Sequence, residues 1–394
     1  MKDRSFKLTL AFLLTSSFLA QMIVGIVGIT VPIYAVEMDA SPLLLGIIGA
    51  TGGLVYSFMP LVSGILSDRF RRKIFIFSST FFYGLSCIFY TLAENPYMLI
   101  PIKALEWVSV AMFWPPTEAL LVEVSFGKLE EALKKFNLSW GSAMIIGPMI
   151  GGSLISALGV EAKAPFFLSS AISLTLSFLA LIIVKEPPRE IVPHEHKIFK
   201  FSESKSHSII SALISILLFS SLIGMILNLF PAYATILGIP AYEVGLMMLV
   251  NGLWRLVAFF EAYKIKAKIG VTHMFFIGSI MLASASASMA ISSTTFMFSI
   301  SLSILGFGAG ILYAASIANI LESQKAARGQ AAGLFETLIG IGYFLGSLSG
   351  GFVAEYAPNA PYILGLFLSL LASTAHAFYG WKNREKLKFQ TQLK

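Results

Sequence analysis

Apolar runs of about 20 residues recur along this chain, each ended by glycine, proline or a cluster of charge. That recurrence limits the fold more than any other feature. About 20 apolar residues carry a helix across the hydrocarbon core of a bilayer. Only helices and closed barrels satisfy their backbone polar groups there. Barrel strands would alternate polar and apolar residues over about 10 positions, a pattern this sequence lacks. Charged residues make up 12% of the chain, against about 25% in soluble domains. The expectation is an all-α polytopic membrane protein. The first run, from about Leu8, is too long for a signal-peptide core and has no small-residue cleavage site, so it reads as a retained helix. A single cysteine, Cys87, excludes an internal disulfide framework, and no zinc-site spacing occurs.

Hydropathy with breaks at charge, Gly and Pro gives twelve spans: 9–35, 42–66, 73–93, 97–121, 137–159, 164–184, 208–236, 241–263, 273–293, 296–320, 330–354 and 360–381. The net charge of +7 could suggest nucleic acid, but its distribution describes topology. The N-terminus, the loops that follow even-numbered spans and the C-terminal tail hold 25 of the 28 Lys and Arg. The opposite loops hold only Lys163, while Lys103 and Arg255 fall inside spans. Basic loops stay in the cytoplasm, so both termini are expected there, with the chain in the cell membrane and no nucleic acid as partner.

The polar stretch 185–207 divides the chain into a six-span half at 1–184 and another at 208–394, the latter ending in a cytoplasmic tail. The halves align at a constant offset of 199 residues. Pro32 and Tyr34 match Pro231 and Tyr233; Gly46, Gly53 and Leu54 match Gly245, Gly252 and Leu253. Glu123 matches Glu322, Phe136 matches Phe335, and Gly141, Gly147, Gly151 and Gly152 match Gly340, Gly346, Gly350 and Gly351. A parallel repeat about an axis along the membrane normal is an arrangement of secondary transporters, with the site near mid-membrane.

With these features the sequence resembles the major facilitator superfamily over nearly its whole length, including its drug/proton antiporter-type members. The family signature between spans 2 and 3 runs Gly-x-Leu-x-Asp-Arg-x-Gly-Arg-Lys. It is matched by Gly64, Leu66, Asp68, Arg69, Arg72 and Lys73, with Arg71 in place of the glycine. The second-half copy, AKIG at 267–270, keeps Gly270 and lacks the acid. The span-5 signature, Gly-Pro-x-x-Gly-Gly, is Gly147, Pro148, Gly151 and Gly152. The span-4 signature is looser, with Lys103, Glu106 and Trp107 where Arg, Gln and Gly are usual. The resemblance implies a cytoplasmic gate in which Asp68 meets the N-terminus of span 11 near Gly329–Gly333, the neighbouring arginines pair with Glu123, and Glu118 lies close by. A helix N-terminus favours a carboxylate by about 0.3–2 kcal/mol, a modest energy suited to a latch that must release. Anchoring to the basic side would explain Arg71 and Lys73 equally well.

Ionisable residues inside the membrane cost about 2.5–3.5 kcal/mol on insertion scales and usually face a wet cavity or a partner. Spans 3, 6 and 9 have none away from their ends except Cys87, and span 12 has only His376. In the family those four spans sit outside the cavity. Span 4 carries Lys103, Glu106 and Glu118; span 8 carries Arg255 and, near its end, Glu261; span 11 carries Glu336. Lys103 and Glu106 share a helix face, as a structural ion pair or as a proton site in which the cation competes for the carboxylate. Arg255 could bind an anionic group or pair with an acid of the other half. Glu118 and Glu336 could carry the proton or serve the gate. Gln21, Tyr34, Asn228, Asn251, Trp107, Trp114 and Tyr313 are candidate cavity walls, and Pro115–Pro116 should kink span 4. The span-5 glycines either let helices pack closely or shape the interface between halves, a signature commoner among family exporters. HEH at 194–196 lacks the spacing of a catalytic metal site, 127–136 reads as a short surface helix, and no phosphate-binding loop is present.

The expected function is alternating-access transport, with hydrophobic or amphipathic small molecules exported in exchange for protons. No cofactor, metal or enzymatic chemistry is expected. The proton gradient would supply the energy, and a monomer would contain its own cavity. Import or uniport of a polar or anionic solute is the alternative, and a non-transporting receptor on the same fold is a third reading.

Overall fold

The computed structural model describes residues 2–125, 128–187, 206–323 and 328–392. The described helices are α1 (Lys2–Glu37), α2 (Pro42–Arg69), α3 (Arg72–Thr91), α4 (Leu99–Val124), α5 (Leu129–Leu158), α6 (Ala164–Ile183), α7 (Ser206–Ile236), α8 (Ala241–Ile291), α9 (Thr295–Ser323), α10 (Arg328–Ala354) and α11 (Ala360–Gln392). Eleven helices are long and apolar enough to cross a membrane. The twelfth crossing lies inside α8. Its 51 residues would extend about 76 Å if straight, more than twice the roughly 30 Å hydrocarbon core. Gly270 breaks it, at φ 77° and ψ 161°. The twelve-span, two-bundle architecture expected from the sequence is therefore present, with spans 8 and 9 joined at that glycine.

Two boundaries differ from the reading of hydropathy. The short surface helix expected at 127–136 is the beginning of α5, running straight into span 5 from Leu129. Nothing in Leu129–Asn137 breaks a helix, and Glu131 and Lys135 pair at 2.7 Å one turn apart. The C-terminal helix continues past span 12 to Gln392, because the polar tail after Gly380 contains neither glycine nor proline. Most of the predicted link, and with it HEH at 194–196, lies outside the described residues, as does Gly127.

Within the first half α1 packs on α5 and α3 on α6; within the second, α7 packs on α10 and α8 on α11. The halves meet along two seams, α2 with α10 and α5 with α8, and α1 also meets α7. Glycine sets how close these helices come. A Cβ on Gly351 would lie 2.6 Å from the Gly46 Cα, and one on Gly245 would lie 2.7 Å from the Pro148 oxygen. Gly147 and Gly346 are pressed against the carbonyls of Met22 and Ser221, which are themselves 199 residues apart. The repeat thus recurs in this contact. Pro115, which lacks a donor, leaves the Ala111 carbonyl without its helical partner. Ser63 of α2 supplies the missing bond at 2.9 Å, and α4 continues through both prolines.

The seams do not run the full depth of the molecule. On α2 and α10, contact extends from Gly46–Gly351 to Ser57–Gly340. Nearer the basic loops, among the described residues, a Cβ on Gly64 would meet Pro115 of its own half at 3.8 Å, and a Cβ on Gly333 would meet nothing within 4 Å. Leu54, Phe58, Leu61 and Ile65 form one exposed stripe along α2. Among the described residues, the contacts between α2 and α10 run from the far side to the level of Ser57 and Gly340.

Candidate functional site

The intramembrane charges fall into two separate groups. The first is sealed inside the N-terminal half. Lys103 Nζ lies 3.0 and 3.1 Å from the two Glu106 oxygens, and Tyr90 donates to Glu106 Oε2 at 2.7 Å. Lys103 is 3% exposed and Glu106 1%. Tyr90 stacks on Phe166, with centroids 5.0 Å apart, and Phe166 meets Tyr34 edge-on at 5.5 Å. The pair is enclosed by aromatic rings from α1, α3 and α6, and three hydrogen bonds from two donor groups answer the carboxylate.

The second group lies where the described contacts of the α2–α10 seam end. Tyr56 of α2 donates to Glu336 Oε2 of α10 at 3.1 Å. Glu118 is exposed and lies within electrostatic reach of Glu336 and Tyr313. Neither Glu118 nor Glu336 forms an ion pair among the described residues. Aromatic rings surround them. Trp107 meets Tyr56 edge-on at 5.5 Å and Tyr343 at 6.2 Å, while Tyr313 meets Phe335 at 5.1 Å and Phe259 at 5.2 Å. Gly52 gives the Trp107 indole its space, and Trp107 Nε1 is buried without a hydrogen-bond partner.

On the other seam, Arg255 Nη2 donates to Asn251 Oδ1 at 2.9 Å, and Nη1 faces the Met144 sulfur of α5 at 4.0 Å. Asn251 is itself fixed by donating to the Leu302 carbonyl at 2.9 Å. Asn228 is held away from the charges, donating to Ser347 Oγ at 3.0 Å and to the Gly224 carbonyl at 2.9 Å. Gln21 is half-buried on α1 and has no side-chain hydrogen bond among the described residues. Trp114 packs within the first half against Phe113, Phe136 and Trp140. His376 bonds Ser215 at 3.1 Å and stacks on Phe275, inside the second half.

At the basic side, Arg72 Nη1 lies 2.5 Å from Glu123 Oε1, and its Nη2 lies 3.6 Å from Asp68 Oδ1. Glu186 accepts from the Lys73 backbone at 2.6 Å. Asp68, Arg72, Lys73 and Glu123 belong to the first half, and Glu186 stands at the start of the stretch that follows it. Arg69 is exposed. The side chains at 329–332, where the N-terminus of span 11 was expected to meet Asp68, lie outside the described residues. At Pro148 of the span-5 signature, the ring packs against Gly25, whose Cβ would lie 2.8 Å from its Cδ; Gly151 and Gly152 face Ile26 and Ala241.

Several contacts escaped the reading of the sequence, although the 199-residue offset contained them. Tyr56 is the counterpart of Arg255, and Tyr343 of Met144. At the far side, Glu355 Oε1 accepts from the Leu43 backbone at 2.8 Å, and Ser156 Oγ accepts from the Tyr242 backbone at 2.9 Å. Both partners of the second bond are offset by 199 from those of the first. In each, the end of one half's helix caps the start of a helix in the other half.

Known proteins agree with this architecture. The family model described as Major Facilitator Superfamily matches residues 13–265 and 212–394. An uncharacterised MFS-type transporter of Methanocaldococcus jannaschii is 27% identical over 353 residues, covering 86% of this chain and 89% of its own. Multidrug resistance protein 1 of Bacillus subtilis is 28% identical over 183 residues, 46% of each chain. Among solved structures, a point mutant of nucleoside transporter NupG superposes with a TM-score of 0.80 at 15% identity, covering 94% of this chain and 99% of its own. A bacterial homologue of the human lysosomal transporter Spinster, in its inward-facing and occupied conformation, superposes with a TM-score of 0.76 at 14% identity over 98% of both chains.

Proposed function

Because the chain belongs to the Major Facilitator Superfamily, a family of transporters rather than enzymes, we propose that it is an alternating-access transporter exporting hydrophobic or amphipathic compounds in exchange for protons. One observation carries this reading: among the described residues, Glu118 and Glu336 stand without ion-pair partners and beside aromatic rings from both halves. An ionised acid at this depth is costly unless something answers its charge. A proton and a cationic amphipath can each do so, and they compete for the same oxygens. Loading one releases the other, which is the minimum that exchange requires. Glu106 is already answered by Lys103 and Tyr90, so we assign the exchanged proton to the Glu118–Glu336 pair. The family resemblance to a multidrug resistance protein and to the Staphylococcus aureus quinolone resistance protein NorA supports the export direction.

With the basic loops read as cytoplasmic, we infer an inward-facing state, which the end of the described α2–α10 contacts short of that side supports. The Asp68–Arg72–Glu123 cluster then waits on the first half, and closes against span 11 when the cleft opens outward. Asp68→Asn should slow transport while leaving insertion and folding intact; unchanged rates would remove the latch from the cycle. The test of exchange itself is proton release in proteoliposomes holding a pH dye and an imposed gradient, as lipophilic cations are added. Release should be lost in Glu336→Gln or Glu118→Gln and kept in Glu106→Gln. Loss confined to Glu106→Gln would move the proton to the sealed pair.

A second reading, uptake of an anionic solute, is favoured by Arg255, whose guanidinium has no acid beside it among the described residues. Two Chlamydia relatives are named probable hexose phosphate transport proteins. Uptake of an anion with no cation-driven proton release would select this reading.

A further inference from the structure

We propose that Arg255, held in position by Asn251, is a subsite for an anionic group on the transported molecule, so that the preferred substrates are zwitterions with an amphipathic body. This deepens the reading of the cleft as a transport site and rests on it. A guanidinium inside a span is costly to leave unanswered. Among the described residues, Arg255 has an amide oxygen from Asn251 at 2.9 Å, a thioether from Met144 at 4.0 Å, and no partner at its buried Nε. A thioether is a weak acceptor, so the charge is not satisfied. Its posture is nevertheless fixed. Asn251 is 4% exposed and is tethered through its amide nitrogen to the Leu302 carbonyl, which leaves its oxygen aimed at the guanidinium. Gly306, pressed against the Asn251 backbone, lets α9 approach close enough for that bond.

The internal repeat shows what is missing. The counterpart of Arg255 is Tyr56, and Tyr56 is answered by Glu336 from the facing helix. The counterpart of Glu336 on α5 is Asn137, which carries no charge and accepts from Trp140 of its own helix at 3.2 Å. The second seam therefore presents a cation where the first presents a hydroxyl, and supplies no acid to meet it. Nε and the loosely occupied Nη1 leave donors for a planar carboxylate. Acids on one seam and a base on the other, with Tyr343 within electrostatic reach of both Arg255 and Glu336, fit a molecule with charges of both signs.

A matched pair of dyes tests this in the purified full chain. Rhodamine B carries a cationic ring system and a carboxylate; its ethyl ester keeps the ring system and loses the acid. Fluorescence anisotropy at neutral pH should show the wild type binding the acid about tenfold tighter than the ester. Arg255→Gln should remove that preference by weakening the acid alone, and Arg255→Lys should keep part of it. Equal wild-type affinity for the two dyes would overturn the proposal, and that comparison needs no variant to fold. Equal loss of both dyes in Arg255→Gln would also overturn it, giving the residue a structural role. Proton release driven by the ester in proteoliposomes is a separate measurement. Its absence would count against proton exchange while the dye preference still reports on Arg255.

Discussion

The two seams between the halves are built from equivalent residues and end in different chemistry. At the far side they match closely: Gly351 on Gly46 in one, Gly152 on Ala241 and Gly245 in the other. They diverge toward mid-membrane. A Cβ on Gly340 would lie 2.5 Å from the Ser57 Cα, so the backbones of α10 and α2 touch there. At the equivalent point of α5 and α8, a Cβ on Gly141 would lie 3.6 Å from the tip of the Leu256 side chain. The tight seam carries the carboxylate of Glu336, and the looser seam carries the guanidinium of Arg255. A repeat can therefore conserve the hinge-like far contacts while its two copies take opposite charge at the level of the cleft. The same exchange of roles occurs nearby: Gly52 faces Trp107 in the first half, and Asn251 faces Gly306 at the equivalent positions in the second.

The largest test of this difference is charge. Glu336→Gln should reduce substrate-driven proton release to that of protein-free vesicles, while Asn137→Glu, which gives the loose seam its own acid, should leave proton release in place and cancel the preference for the acidic dye. Proton release that survives Glu336→Gln at full rate would erase the functional distinction between the seams. Packing comes next. Gly340→Ala drives a methyl into backbone and should cost about 1–3 kcal/mol, whereas Gly141→Ala meets ordinary van der Waals space and should stay within about 0.5 kcal/mol. Thermal unfolding of the two variants in one detergent compares them directly, and similar melting temperatures would show that α2 and α10 separate easily.

The smallest expected effect lies at the far side, where Glu355 caps α2 and Ser156 caps α8. A carboxylate at a helix N-terminus contributes up to about 2 kcal/mol and a hydroxyl cap about 1 kcal/mol. Glu355→Gln should therefore raise the outward-open population more than Ser156→Ala does. Spin labels at Glu94 and Tyr356, on far-side loops of the two halves, would report it as a longer-distance population. No change in either variant would assign closure of that side to the glycine contacts alone.

Much of the architecture was legible because a membrane imposes simple rules on sequence. Hydrophobic length gave the crossings, including the one hidden inside α8, since Gly270 closes a predicted span boundary. The offset of 199 residues gave the two halves, and the intramembrane charges named Lys103, Glu106, Glu118, Arg255 and Glu336 before any contact was visible. Each of these follows from solvent: a bilayer penalises exposed backbone and unpaired charge wherever they occur along the chain. Tertiary structure alone decided which charges answer each other. Lys103 and Glu106, three residues apart on one helix, read from the sequence as a structural ion pair or a proton site, and only the packing shows Tyr90 from α3 closing over them with Phe166 stacked behind it. Glu336 and Tyr56 are 280 residues apart, and nothing local to either signals the other. Whether a buried charge is satisfied depends on atoms delivered by other helices within about 3 Å, a distance that the packing of the two halves sets and linear order does not.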